Sequence, residues 1–371
     1  MNDVSTNART VDHDELVARR VRATIRPDIR ALTAYQVAKA PGMIKLDANE
    51  SPYGIPAVMQ PQIAAALANV PVNRYPDGPA DGIKAALRRA FALPETVGLA
   101  LGNGADELLQ MLTTAVAQPD AVVLAPEPTF VMYRLYALHS RIRYVGVPLR
   151  ADFCFDVDAM LAAIARERPA LVWLPYPNNP TGNLFARADV ERILRAAPGL
   201  VVVDEAYYAF ADDSFVARLG EFPNLVVVRT VSKIGGAGLR LGYALAHPAW
   251  IAEIEKIRSP YNINALTQAV VPLLLDHLEL FDDQVGAVRA ERERLLDRLR
   301  AMPSLTVFPS HANFVAVRVP DARHWFAALG KAGILVKNLH GSHPLLAQCL
   351  RITIGTRAEN DALLAALAVM S

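Results

Sequence analysis

The feature that most constrains the fold is a series of short, almost entirely apolar runs in the middle of the chain. Such runs, rich in valine and leucine and without polar alternation, are typical of strands covered on both faces. Helical patterns separate several of them, and this alternation predicts a parallel sheet with helices on both sides. Ligands in such sheets bind beyond the carboxyl ends of the strands, so the residues after each run are the first site candidates. The runs are Ala121–Ala125, Leu171–Leu174, Leu200–Val203, Leu225–Val228 and Leu241–Ala246.

The chain of 371 residues is long enough for a large domain and a smaller one. The expected fold class is α/β. Residues 248–302 look like long helix, and the last part mixes short strands with two helices. We expect an N-terminal arm over 1–25, a segment packing with the small domain over 26–54, a large domain over 55–260, and a linker helix with a small α+β domain over 261–371.

Composition narrows the class of protein. The net charge is +1, and a near-neutral chain argues against nucleic-acid binding, which usually shows as a basic stripe. No run of about 18 apolar residues predicts a membrane span. The N-terminus is polar and acidic, unlike a signal peptide. Cys154 and Cys349 are expected to be reduced, buried thiols, so a cytoplasmic protein is predicted.

Lys233 follows the run Leu225–Val228 and precedes a glycine-rich turn. A lysine at the mouth of a sheet becomes a nucleophile toward aldehydes when burial or a nearby cation lowers its pKa. The hydroxyls of Thr230 and Ser232 and the guanidinium of Arg240 can grip a phosphate beside it. Taken alone, the segment is also compatible with an exposed lysine in a flexible loop.

Carboxylate, phenol and amide groups follow two other runs. Asp204 comes directly after Leu200–Val203, where a carboxylate can cap a helix, bind a metal or hold a pyridine nitrogen protonated. Tyr207 can hydrogen-bond a phenolic oxygen on such a ring. Asn179 lies in the proline-rich turn after Leu171–Leu174, either as an ordinary turn residue or as a donor that favours the phenolate.

A glycine-containing segment precedes a predicted helix near residue 105. Gly102–Gly104 has the form of a dinucleotide-binding turn, but Glu107 occupies the position of the third glycine and counts against that interpretation. The backbone N–H groups of Ala105 and Asp106 at a helix N-terminus still suit a single phosphate. Phe130, after the first apolar run, is compatible with stacking on an aromatic ring or with a core position.

The order and spacing of these segments resemble the fold-type-I aminotransferases that use pyridoxal 5′-phosphate (PLP), and further segments are similar to the histidinol-phosphate aminotransferases. The resemblance runs from about residue 25 to the end. It implies a large domain with a mostly parallel sheet flanked by helices, a smaller α+β domain, and amino transfer between glutamate and imidazole-acetol phosphate in histidine biosynthesis. The segments are Gly102–Glu107, Pro128–Phe130, Pro177–Gly182, Asp204–Tyr207 and Ser232–Arg240, together with Arg26–Tyr35, Leu46–Tyr53, Asn73–Asp77, Gly333–Lys337 and Cys349–Thr356.

The resemblance also implies roles for the cofactor-side residues. Lys233 is expected to hold PLP as a Schiff base and to move a proton as general base and acid. Asp204 should pair with the pyridinium, Asn179 and Tyr207 should bond the phenolic oxygen, and Phe130 should stack on the ring. The phosphate should be bound by Ala105, Asp106, Thr230, Ser232, Arg240 and Tyr75 of a second subunit.

Tyr75 at a partner's site makes a homodimer the expected active form. Arg351 should bind the α-carboxylate of glutamate and, in the other half-reaction, the substrate phosphate. Tyr35 is expected to help close the site.

Three departures from the family pattern concern details of binding. The segment Ile234–Ala237 is one residue shorter than in many members. Lys337 stands where a second phosphate-binding arginine is often found, and lysine cannot bind bidentately. Phe130 replaces a common tyrosine and keeps only the stacking.

These departures leave an aromatic or broad-specificity aminotransferase as the nearest alternative. A phosphothreonine decarboxylase of the same fold, a non-catalytic module of a transcription regulator and a dinucleotide-dependent dehydrogenase are more distant ones.

Overall fold

The computed structural model describes residues 13–34, 38 and 40–370. The chain divides after residue 39 into two compact units. The first unit contains helix α1 (His13–Thr24), with Asp14 in its first turn and Arg22 in its last, and the short helix α2 (Pro27–Arg30). Acids near the start of a helix and bases near its end complement the helix dipole. The predicted N-terminal arm therefore contains a helix from residue 13, and its first twelve residues, like Tyr35, lie outside the described part of the chain.

The second unit contains two sheets and the helices that cover them. Its strands are β1 (Ile44–Leu46), β2 (Gly98–Asn103), β3 (Val122–Glu127), β4 (Arg143–Pro148), β5 (Leu171–Pro175), β6 (Leu200–Asp204), β7 (Leu225–Thr230), β8 (Leu241–Ala246), β9 (Thr306–Val307), β10 (Phe314–Arg318), β11 (Ile334–Asn338) and β12 (Cys349–Thr353). Its helices are α3 (Gln60–Ala68), α4 (Asp81–Ala90), α5 (Ala105–Ala115), α6 (Val131–His139), α7 (Val157–Glu167), α8 (Arg187–Ala196), α9 (Pro248–Glu255), α10 (Ala265–Leu275), α11 (Leu278–Arg300), α12 (Ala322–Lys331) and α13 (Arg357–Ala368).

The larger sheet has seven strands in the order β2-β8-β7-β6-β5-β3-β4. The strands from β4 to β7 are parallel, and β8 runs antiparallel to β7 and β2. Alternate residues of β5 enter two different apolar cores: Val172 and Leu174 face one, and Leu171 and Trp173 face the other. Burial on both faces explains why these strands are continuous apolar runs, and the α/β expectation is confirmed.

The strand order reverses between β3 and β5, since β4 lies on one side of this point and β6 and β7 on the other. The carboxyl ends of parallel strands lie at one edge of the sheet. The loops after β3, β5, β6 and β7 therefore converge at that edge, which is where open α/β sheets bind ligands.

The smaller sheet has five strands in the order β1-β11-β12-β10-β9. Strand β1 is parallel to β11, with Ile44 opposite Ile334, while the other neighbours are antiparallel. Leu46 of β1 shares an apolar core with Leu295 of α11 and Trp325 of α12. The segment around β1 thus joins the C-terminal strands, although the predicted domain boundaries themselves stay a prediction.

Several local predictions were wrong. The expected long helix over 248–302 is three helices, because Pro260 interrupts the pattern and the Asn264 side chain caps α10 by accepting from the Thr267 N–H at 2.9 Å. Strands β2 and β4 were missed, since β2 carries two glycines beside a helical pattern. Cys154 is exposed, in a turn that Asp152 closes, whereas Cys349 is buried.

Within the described residues, no helix is both long and apolar enough to cross a bilayer.

A buried ion pair ties the ends of β6 and β7 together. Glu205 is fully buried and accepts from Arg229 Nε at 2.9 Å, from Ser214 Oγ at 2.9 Å and from the Phe215 N–H at 2.6 Å. The Arg229 guanidinium also lies 4.1 Å from the centroid of the Tyr208 ring. Both charges are paired and hydrogen-bonded, as buried charges must be.

We predict that Arg229→Met lowers the free energy of unfolding by about 3–5 kcal/mol, because it leaves the Glu205 carboxylate buried without its cation. Urea unfolding at a fixed protein concentration measures the change. The double variant Glu205→Gln, Arg229→Met should recover part of the loss. Lys256→Met, which removes an exposed ion pair with Glu253, is the control and should unfold like the wild type. An Arg229→Met protein as stable as this control would contradict the assignment.

Candidate active site

Lys233 lies in a short 3₁₀ turn, Ser232–Ile234, directly after β7. Gly235 follows with φ of 103°, a conformation that L side chains rarely adopt, so glycine is required for the chain to turn there. The Gly236 N–H donates to the Val231 carbonyl at 3.0 Å and closes the turn. The turn holds Lys233 Nζ 5.7 Å from the centroid of the Tyr207 ring.

Lys233 is half-buried, so its amine is partly withdrawn from water. Its burial, and secondly the positive charge of Arg351, lower its pKa to about 8. The carboxylates of Asp106 and Glu50 act in the opposite direction and only partly compensate. At pH 7 about a tenth of this lysine is therefore the neutral amine, which is the nucleophilic form, and the neutral form predominates above about pH 8.

Asp204 is the last residue of β6 and only 6% of it is exposed. Its Oδ2 accepts from the Tyr133 hydroxyl at 2.6 Å, and its Oδ1 accepts from the Ala206 N–H at 3.0 Å. Burial raises the pKa of Asp204 to about 6, although both hydrogen bonds favour the ionised form. A buried carboxylate with two neutral donors and no described cation in contact suits a positively charged N–H donor on a ligand.

Tyr207 is also buried, and its hydroxyl accepts from Asn49 Nδ2 at 2.9 Å. Asn49 adopts a left-handed conformation with φ of 56° just after β1, and its N–H donates to Thr353 Oγ1 at 3.0 Å. Since the phenol accepts at this contact, its own proton remains for donation to a ligand oxygen.

Arg351 of the smaller sheet contacts Asn179 in the loop that follows β5 of the larger sheet. Arg351 of β12 donates to Asn179 Oδ1 at 2.6 Å and to the Asp47 carbonyl at 2.6 Å. The Asn179 amide oxygen thus accepts from Arg351, and the NH₂ group of the same side chain can donate to a ligand. Lys337 of β11 is directly opposite Arg351 in the antiparallel pair, so the two cationic side chains share a face of the smaller sheet.

The predicted phosphate-binding residues come together where β8 approaches the N-terminus of α5. A Cβ added to Gly242 would lie 2.5 Å from the Ala105 nitrogen, so only glycine allows this approach. A Cβ on Gly104 would lie 2.3 Å from Arg240 Nη2, which shows how closely the guanidinium lies on the turn. Arg240 Nη2 is 3.8 Å from Asp106 Oδ2.

Two hydroxyls complete this cradle. Thr230 Oγ1 lies 2.9 Å from Ser232 Oγ and donates to the Leu241 carbonyl at 2.8 Å. A helix N-terminus, an arginine and paired hydroxyls are together suited to a phosphate dianion.

The remaining predicted site residues are Phe130, Tyr75 and Tyr35, and the two that the structure describes each contact another aromatic ring. Phe130 precedes α6 and meets the Tyr133 ring edge-on at 5.7 Å. Tyr75 is 80% exposed and stacks on Tyr261 with ring centroids 4.4 Å apart. Tyr35 lies outside the described residues. In the described part of the chain, no three acidic, histidine or cysteine side chains form a group that could hold a metal ion.

Two polar contacts of the site were missed from the sequence. Tyr133 follows Phe130 by three residues, one helical turn, and that spacing could have indicated a side chain directed at the same strand ends. Asn49 belongs to a quoted segment, but its partner Tyr207 is 158 residues away, and no local pattern connects them.

The comparisons with known proteins agree with this geometry. A family model described as aminotransferase class I and II matches residues 41–367. The histidinol-phosphate aminotransferase of Chromobacterium violaceum is 56% identical over 94% of this chain and 98% of the relative. Histidinol-phosphate aminotransferase 1 of Ralstonia nicotianae is 51% identical over 96% of this chain and 95% of the relative.

A solved structure extends the agreement to the fold. The crystal structure of histidinol-phosphate aminotransferase from Sinorhizobium meliloti in complex with pyridoxal-5′-phosphate has a TM-score of 0.83 at 26% identity, and covers 94% of this chain and 99% of its own. The family and fold expected from the sequence are thereby confirmed. The chain belongs to the class I and II aminotransferases and, within them, to the histidinol-phosphate aminotransferase family.

Proposed function

We propose that this enzyme uses PLP to transfer the amino group of L-histidinol phosphate to 2-oxoglutarate, giving imidazole-acetol phosphate and L-glutamate. Similarity over nearly the full length of relatives named for this substrate supports the choice of substrate. One structural observation carries the reaction class: a desolvated lysine and a buried aspartate lie at the strand ends beside a phosphate cradle.

The residues present fit PLP. The N-terminus of α5 with Arg240 suits its phosphate, Asp204 suits its ring nitrogen, and Asn179 and Tyr207 offer donors to its phenolic oxygen. Phe130 offers an aromatic ring, and Lys233 is the amine that attaches the aldehyde. When bound, PLP supplies an electron sink for the bonds at the substrate's α-carbon.

Lys233 Nζ moves the proton in this proposal. Its neutral form predominates above about pH 8 and accepts the proton that leaves the substrate α-carbon. Asp204 is ionised above about pH 6 and can hold a protonated ring nitrogen. Both groups are therefore in working form on the alkaline side of neutrality.

Arg351 and Lys337 hold the substrate anions. The Arg351 fork is fixed by Asn179 and the Asp47 carbonyl, so it presents a set direction to a carboxylate or a phosphate. Lys337, opposite Arg351 on β11, adds a second positive charge without a bidentate geometry.

Lys337 favours one alternative function, a broad-specificity or aromatic aminotransferase. A lysine is a single point charge and selects phosphate less strongly than a bidentate arginine does. Comparing substrates separates the two functions. We predict that kcat/KM for L-histidinol phosphate exceeds that for L-phenylalanine by at least about 100-fold, since an unfilled anion pocket penalises the aromatic substrate. Equal values would establish the alternative, and release of carbon dioxide from a phosphorylated amino acid would indicate a decarboxylase.

The same assay includes a matched pair of variants. Lys337→Met should raise KM for L-histidinol phosphate about tenfold and leave the glutamate half-reaction little changed. Lys331→Met, an exposed lysine of α12, should leave both unchanged.

The active form in this proposal is a cytoplasmic homodimer in which Tyr75 binds the cofactor phosphate of the partner subunit. The exposure of the Tyr75 ring and its stacking on Tyr261 support a surface held ready for a second chain. Cys154 and Cys349 are free thiols, which suits a reducing compartment.

Mixed dimers test this arrangement. Tyr75→Ala and Lys233→Ala should each be nearly inactive alone. Refolding them together should restore about a quarter of wild-type activity, because half the dimers are then mixed and each has one intact site. Mixed dimers that form, as shown by two affinity tags, but stay inactive would contradict a shared site.

A further inference from the structure

We propose that Tyr133 is a positioning residue that keeps Asp204 ionised and correctly oriented for the ring nitrogen of the cofactor. This role rests on the proposed use of PLP. Tyr133 reaches neither the substrate nor the cofactor in the proposal; it acts through Asp204.

The geometry leaves the Tyr133 hydroxyl little freedom. The residue is fully buried in the first turn of α6, and its oxygen lies 2.6 Å from Asp204 Oδ2. Its ring stacks on Trp173 with centroids 5.0 Å apart and planes 4° from parallel. Phe130 meets the same ring edge-on. A ring fixed between two aromatic side chains keeps its hydroxyl directed at one carboxylate oxygen.

The direction of the hydrogen bond follows from chemistry. Burial and the neighbouring Asp204 raise the pKa of Tyr133 far above its usual value, so the phenol keeps its proton at any working pH. An ionised carboxylate can only accept. Tyr133 therefore donates to Oδ2 while the Ala206 N–H donates to Oδ1, and the carboxylate plane is fixed from both sides.

The hydrogen bond opposes three influences that favour a neutral Asp204. Burial is the largest, and the carboxylates of Asp106 and Glu205 add to it. The Tyr133 hydroxyl is the strongest of the groups that favour ionisation. Without it, a protonated Asp204 can no longer stabilise a protonated pyridine nitrogen, and the ring loses its capacity as an electron sink.

The substitution Tyr133→Phe tests the idea because it removes one oxygen and keeps the stacked ring. The apoenzyme variant should bind PLP about tenfold more weakly than the wild type, as expected for a lost hydrogen bond to a charged group. It should bind 1-deaza-PLP, in which carbon replaces the ring nitrogen, with unchanged affinity. With ¹⁵N-labelled PLP, the ring-nitrogen signal should move from the protonated toward the unprotonated position.

Tyr144→Phe is the control, since it removes the hydroxyl of a half-buried tyrosine on the edge strand β4, which is hydrogen-bonded to Glu127. It should leave both affinities unchanged. Equal weakening for PLP and 1-deaza-PLP in Tyr133→Phe would assign the residue to packing and overturn the inference, as would an unmoved nitrogen signal. These measurements use no substrate, so they are independent of which amino acid the enzyme accepts. Failure of the wild type to bind PLP would contradict the proposed function instead.

Discussion

The site depends on one electrostatic arrangement: the Lys233 amine is partly withdrawn from water and lies within the electrostatic influence of the Arg351 guanidinium. Burial and that positive charge together lower the lysine pKa to about 8. Arg351 can exert this effect because Asn179 and the Asp47 carbonyl fix it in place. The cation that is proposed to bind the substrate anion thus also lowers the pKa of the lysine that is proposed as the nucleophile, and an arriving carboxylate or phosphate will partly neutralise that cation.

The surrounding fold holds two groups of opposite charge, Asp204 and Lys233, in positions with limited exposure to water. Burial raises the pKa of Asp204 to about 6 and lowers the pKa of Lys233 to about 8, so both groups titrate close to neutral pH. Environments that push acid and base pKa values away from their ordinary ranges are a mark of catalytic sites. The Glu205–Arg229 pair is adjacent in sequence to Asp204 and Thr230, and it fixes the strand ends that carry them.

The sequence alone predicted the strands that are buried on both faces of the sheet. Leu241–Ala246 was predicted to the residue, and the run at 200–203 only missed Asp204 itself, because continuous apolar runs mark strands covered on both faces. Strands β2 and β4 escaped because glycines and edge positions weaken the pattern. The site residues came from strand ends and from family resemblance, whereas Tyr133 and Asn49 were missed because their partners are distant in sequence.

Trapping the cofactor on the lysine tests the central claim most directly. Apoenzyme is mixed with PLP between pH 6 and pH 10, reduced with borohydride, and mapped by peptide mass spectrometry, with Lys233→Ala in parallel. The account predicts that the label is on Lys233, that its yield rises with a midpoint near pH 8, and that Lys233→Ala remains unlabelled. Labelling of another lysine, or a midpoint near the ordinary lysine pKa of about 10.4, would contradict it.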